Sequence, residues 1–135
     1  MANQYQSSSH ESTSSILLME GDPELRKATA VSLEQQGWRV LEATNLDHAH
    51  AILDENFPDI LMLELDLPYG ICGLIIKRYR EHSDNEHSGK VLLIADQRPG
   101  DEWRRRYHPD LVIYKPYDIR HVLRSVQSLA EASIE

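Results

Sequence analysis

Apolar residues fall along this chain in two alternating rhythms. The runs "ILLME" (16–20), "DILMLEL" (59–65), "KVLLIA" (90–95) and "LVIY" (111–114), with the more mixed "WRVLEA" (38–43), have the length and continuity of strands. Between them, apolar residues recur three and four apart. Pro23 behind a capping Asp22, with Gly37 at the far end, delimits a first helix. Asn45 caps a second, in which Leu46, Ala49, Ile52 and Leu53 share a face. Residues 70–82 read as a third helix, the polar "SDNEHSG" as a loop, and "DEWRRRY" as a short fourth helix. Asp118 caps a fifth, with Ile119, Val122, Leu123, Val126, Leu129 and Ala130 along one side.

Five β–α repeats with continuous apolar strands predict an α/β fold, a parallel sheet covered by helices on both faces. Sheets of this kind place their sites beyond the carboxyl ends of the strands, at the switch point in strand order. Here that edge collects Glu20, Gly21 and Asp22 after strand one, Glu64 and Asp66 at the end of strand three, Ala95 and Asp96 at strand four, and Lys115 before Pro116 at strand five. A lone buried carboxylate is costly unless something pairs with it. Lys115 is the cation the fold should bring to Glu64. Asp22 reads first as an ordinary helix cap and only second as a metal ligand.

Composition narrows the function classes. The 135 residues fit one domain, read as residues 15–132, behind a Ser-rich disordered tail over 1–14. That tail has neither the basic start nor the apolar stretch of a signal peptide. A net charge of −8 argues against nucleic acid and against a membrane surface as partner. No apolar run approaches the ~20 residues of a spanning helix. The single cysteine, Cys72, excludes an internal disulfide and suits a reducing cytoplasm. No Cys/His spacing suits zinc: His48 and His50 diverge on a helix, and His82 and His87 fall in the polar loop.

The segments "ILLMEGDPELR", "GWRVLEATNLDHAHAIL", "PDILMLELDLP", "GLIIKRYRE", "KVLLIA" and "YKPYD", in this order from Ile16 to about Ala130, resemble the receiver domain of two-component response regulators. The resemblance implies a flavodoxin-like (βα)5 three-layer sandwich with strand order 2-1-3-4-5. It also implies a working site: two acids after strand one that hold Mg²⁺, an aspartate ending strand three that takes a phosphoryl group, a Ser or Thr after strand four, an aromatic on strand five, and a lysine joined to proline by a cis bond. Glu20 stands at the first acid and Gly21 at the second. Glu64 takes the acceptor position, Ala95 the hydroxyl position and Val112 the aromatic one. Lys115 and Pro116 match.

Each departure weakens the implied switch. Glu64 sets its carboxylate one methylene further out, and a displacement of ~1 Å can cost on the order of 100-fold in rate. Gly21 removes a metal ligand, leaving Glu20 and Glu64, with Asp22 or the Asp66 carbonyl as helpers, to hold Mg²⁺ weakly at best. Ala95 removes a charge-assisted hydrogen bond worth roughly 1.5–3 kcal/mol, about what a two-state switch requires. Val112 removes the second half of the relay.

The expectation is a stand-alone receiver-like module, not an enzyme, that acts by protein contact without phosphorylation and without a required cofactor. The alternatives are an active Mg²⁺-dependent phosphoacceptor using Glu64 or Asp66, and a flavin or nucleotide binder, which the acidic turn after strand one disfavours. The family's usual contact face, from helix four through strand five to helix five, carries Trp103, Arg104, Arg105, Arg106, Tyr107, Tyr114, Arg120 and Arg124. Arginines and aromatics of this kind serve as anchors for a signalling kinase, an output protein or a second copy of the chain. No sequence after the last helix is left for an output domain, so the output is expected to be by contact.

Overall fold

The computed structural model describes residues 14–67, 70–82, 88–96 and 102–134. The predicted tail, apart from Ser14, and His87 lie outside the described residues. The elements are β1 (Ser15–Met19), α1 (Pro23–Gln35), β2 (Arg39–Glu42), α2 (Leu46–Glu55), β3 (Ile60–Glu64), α3 (Ile71–Glu81), β4 (Lys90–Ala95), α4 (Glu102–Tyr107), β5 (Leu111–Tyr114) and α5 (Ile119–Ile134). All pairings are parallel and the sheet order is β2-β1-β3-β4-β5, the flavodoxin-like arrangement.

The helix starts follow the local chemistry. The Asp22 carboxylate accepts from the Glu24 and Leu25 amides, and the Asn45 side chain accepts from His48. The Asp118 carboxylate receives the Arg120 amide at 2.8 Å. Gly37 leaves α1 at φ +99°, in the left-handed region that favours glycine. Strand ends differ from expectation by about a residue; β1 stops at Met19, so Glu20 stands just past it.

Alternate strand residues feed two cores. Leu17, Met19, Leu61, Leu63, Val91 and Leu93 face α2 and α3, while Ile16, Leu18, Ile60, Met62, Leu92, Ile94 and Ile113 face α1 and α5. β3 is buried along its whole length because it is central and covered on both sides. Near the amino end of the sheet, Tyr79 of α3 stacks on Phe57 at 4.9 Å and donates its hydroxyl to the Pro58 carbonyl at 2.5 Å. Gly89, entering β4, makes room for this ring: a Cβ there would fall 1.5 Å from the tyrosine oxygen. Replacing Gly89 by alanine should therefore lower stability by about 2–3 kcal/mol through overpacking. Urea unfolding measures it, and a loss below about 0.5 kcal/mol would contradict the contact.

Candidate functional site

Strand register builds the site. Met19 lies opposite Leu63, so the next residues, Glu20 and Glu64, emerge side by side from neighbouring parallel strands. Lys115 follows β5, and its amide donates to the Ala95 carbonyl at 2.8 Å, fixing where the side chain starts. The Lys115–Pro116 peptide is cis. From there the ammonium reaches across the end of β4 and donates to Glu64 Oε2 at 2.5 Å and Glu20 Oε2 at 2.9 Å. Glu64 Oε1 accepts the Gly21 amide at 2.8 Å, and Glu20 Oε2 also accepts the Asp22 amide at 3.0 Å. Arg26 of α1 adds a clamp from behind, donating to the Glu20 carbonyl at 2.9 Å and to Glu42 at 3.3 Å.

The two glutamates meet different electrostatic fates. Burial raises the Glu20 carboxyl above its ordinary range, and its hydrogen bonds to Asp22 and Lys115 offset only part of that. Its side chain is fully enclosed, and Oε1 is buried without a hydrogen-bond partner. Burial also pushes Glu64 upward, but the Lys115 ammonium and the Gly21 amide outweigh it, and the carboxyl lies below its usual value. Lys115 is held by burial toward neutrality, yet its bonds to both glutamates win and its pKa rises. Two carboxylates thus share one ammonium, with the proton deficit concentrated on Glu64.

Gly21 is more than an absent ligand. A Cβ at this position would stand 3.1 Å from Glu64 Oε1, tighter than nearly all real contacts of that kind. The longer acid fits because the neighbouring position carries no side chain, and the bare backbone then donates to it. The two departures are one steric solution.

The remaining predicted residues are spread around this centre. Asp22 uses a carboxylate oxygen to cap α1. Asp66 was expected to act through its carbonyl; instead its carboxylate receives the Asp96 amide at 2.9 Å, tying the turn after β3 to the end of β4. Asp66 does not join Glu20 and Glu64: among the described residues, no three His, Cys, Asp or Glu side chains converge as metal ligands. Three of the four oxygens on Glu20 and Glu64 already accept hydrogen bonds. Lys115 bridges the two carboxylates, and Glu20 Oε1 is left without a partner. Ala95 presents only a methyl group and is buried. Val112 is half-buried against the core on the α2–α3 side. A cleft of about 500 Å³ opens over Lys115, flanked by Asp22 and Asp96, so an incoming anion meets carboxylates first.

The predicted contact face does not form one surface. Trp103, expected as an exposed anchor, is only 9 % exposed and belongs to the core on the α2–α3 side of the sheet, where it fastens α4. A helix of six residues is too short for periodicity to reveal its inner side. Arg104 lies over the Trp103 ring at 4.9 Å and donates to the Tyr114 hydroxyl at 3.2 Å. Arg105 and Arg120 are exposed, the latter paired with Asp118 at 3.0 Å. Arg106 and Tyr107 turn instead toward α3, and Arg124 lies toward α1, beside Gln36. Arg26 and the Asp66–Asp96 link were not anticipated; a backbone partner, whether carbonyl or amide, leaves no mark in a spacing pattern.

No family model matches the chain. It is 36 % identical over 118 residues to the phosphate regulon transcriptional regulatory protein PhoB of Pseudomonas aeruginosa, covering 84 % of this chain and 50 % of that protein. PhoB of Escherichia coli is 28 % identical over 115 residues, with the same coverage. The chain therefore spans about half the length of these relatives. Among solved structures, a CheY-like response regulator receiver domain from Methanospirillum hungatei superposes with a TM-score of 0.75 at 19 % identity, covering 89 % of this chain and 96 % of that one. A two-component response regulator from Clostridium difficile gives 0.75 at 19 % identity, covering 88 % and 97 %.

Two measurements follow from the geometry. A carboxyl whose pKa is depressed on folding adds stability above its unfolded pKa and loses it as pH falls; one whose pKa is raised does the opposite. Glu64→Gln should therefore lose stability relative to the parent as pH rises from about 3 to about 7, whereas Glu20→Gln should gain over the same span. Unfolding curves across pH would show them diverging, and parallel curves would refute the assignment. Separately, Gly21→Ala should cost about 1–2 kcal/mol beside Glu64. In a Glu64→Asp background roughly half or more of that cost should vanish, as a double-mutant cycle would detect.

Proposed function

The chain belongs to the response-regulator receiver family, and on that premise we propose that its receiver domain signals by protein contact from a single charge-balanced state, without phosphoryl transfer. The observation that carries this reading is the engagement of Glu64 by donors on both sides. Both its oxygens are hydrogen-bonded, one to the Gly21 amide and one to Lys115. An attacking carboxylate works best with its lone pairs uncommitted, and each donor already bound to Glu64 lowers its nucleophilicity. The lysine stands where it would neutralise a transferred group, and it is already shared between two glutamates.

The output side supports the same view. A phosphoryl group biases a receiver only through contacts it makes in one state and not in the other. Ala95 offers no hydroxyl for such a contact, and Val112 no ring to follow it. The domain accordingly needs neither Mg²⁺ nor another cofactor and performs no turnover. Its partner is a protein, either a signalling kinase, an output protein or a second copy of the chain. It docks on the face where Arg104, Arg105, Tyr114 and Arg120 remain available. Among the described residues no helix is long and apolar enough to cross a membrane.

Exposure to Mg²⁺ with acetyl phosphate, or with beryllofluoride, tests the reading. Intact mass should show no 80 Da phosphoryl increment (an increment set by the chemistry of the group), and amide resonances at Glu64, Ala95 and Val112 should stay in place. An adduct on Glu64 or Asp66 would restore the phosphoacceptor alternative.

A further inference from the structure

The split of the predicted face leaves Arg106 and Tyr107 on a different surface, and that surface has its own character. Between α3 and α4 lies a groove of about 700 Å³. Its floor is made by Gly73, Leu74 and the Tyr107 ring; a Cβ on Gly73 would stand 3.1 Å from that ring, so the glycine lets the two helices close over the tyrosine. Leu74 is 50 % exposed, one of two large hydrophobic side chains that the described residues leave in solvent. Lys77 and Arg106 line the groove, with Arg80 behind them and Glu81 the one acid among the described lining residues. Arg80 is committed to the end of α4, donating to the Tyr107 carbonyl and, at 2.7 Å, to the His108 carbonyl.

We propose that this α3–α4 groove docks an acidic amphipathic segment of a separate protein, its aliphatic side chains over Leu74 and Tyr107 and its carboxylates on Lys77 and Arg106. Charge selects the occupant. Among the described lining residues, three cations against one carboxylate make a locally positive groove on a chain whose net charge is −8. An apolar floor inside a cationic rim fits a helix with leucines on one side and glutamates on the other. A second copy of the chain is a poorer fit: the other large exposed hydrophobic among the described residues, Val31 on α1, shares its patch with Glu24 and Lys27, whose charges cancel. The groove is separate from the Glu64 site and from the Arg104–Tyr114 face, so it adds a docking surface to the proposed function.

The test uses the full chain and a probe of defined composition, a 16-residue helical peptide with leucines at i, i+3 and i+4 spacing and glutamates elsewhere (about four turns, enough to span the groove). Amide shifts should saturate with peptide and concentrate on residues 70–81 and 104–107. Leu74→Glu and the pair Lys77→Glu/Arg106→Glu should each weaken binding by about tenfold or more. All three side chains are exposed, so the amide spectra of the free variants should stay dispersed and unshifted elsewhere. The same peptide with lysine in place of glutamate should not bind. Four results would overturn the proposal: no saturable shifts, equal binding of the lysine peptide, binding indifferent to these substitutions, or self-association that Leu74→Glu abolishes.

Discussion

Parallel pairing of β1 with β3 forces two acids together at the rim of the sheet, and everything about this edge follows from how that crowding is relieved. At 4 Å and an effective dielectric of about 20, two like charges repel by roughly 4 kcal/mol, before the cost of dehydrating either. One ammonium placed between them reverses the sign of the balance. Lys115 reaches that point because β5 ends two strands away, and because its own amide is anchored on Ala95. The sheet, the last loop and the first turn of α1 are thereby drawn to one place by charge as much as by packing.

Within that balance the position of each methylene matters. Glu64 is longer than an aspartate, and the extra reach is absorbed by the empty space at Gly21. The absence of a side chain at one position and the excess length at another are complementary. A site arranged this way is satisfied at every glutamate oxygen except one, the buried Oε1 of Glu20.

The fold was legible because its signals are redundant. Continuous apolar strands, capped helices and a glycine exit at Gly37 each point to the same architecture, and an error of one residue at a strand end changes nothing. The pairing of Glu64 with Lys115 was legible too, since a buried acid demands a cation and the strand order leaves one within reach. What the sequence did not yield were features decided by three-dimensional fit. Trp103 reads as a surface anchor until α4 is set against β4. The use of Gly21 as space for Glu64 depends on a distance between residues 43 apart. Asp66 finds a backbone amide, a partner that every residue but proline possesses and that therefore carries no signature. Gly89 looks like a loop residue until the Tyr79 ring is placed beneath it.

The clamp from Arg80 to the last carbonyls of α4 bears on kinetics. His108 turns the chain out of the helix at φ +47°, and the guanidinium holds the carbonyls on either side of that turn. Trp103 seated in the core and Arg80 across the other end tie α4 down at two points. A cleft whose walls are already fastened has no ordering step to complete on arrival of a ligand. Encounter on this side would then be rigid docking, with association near the ordinary 10⁵–10⁷ M⁻¹ s⁻¹ (roughly, before electrostatic steering). Differences in residence time among ligands would be set by how fast they leave.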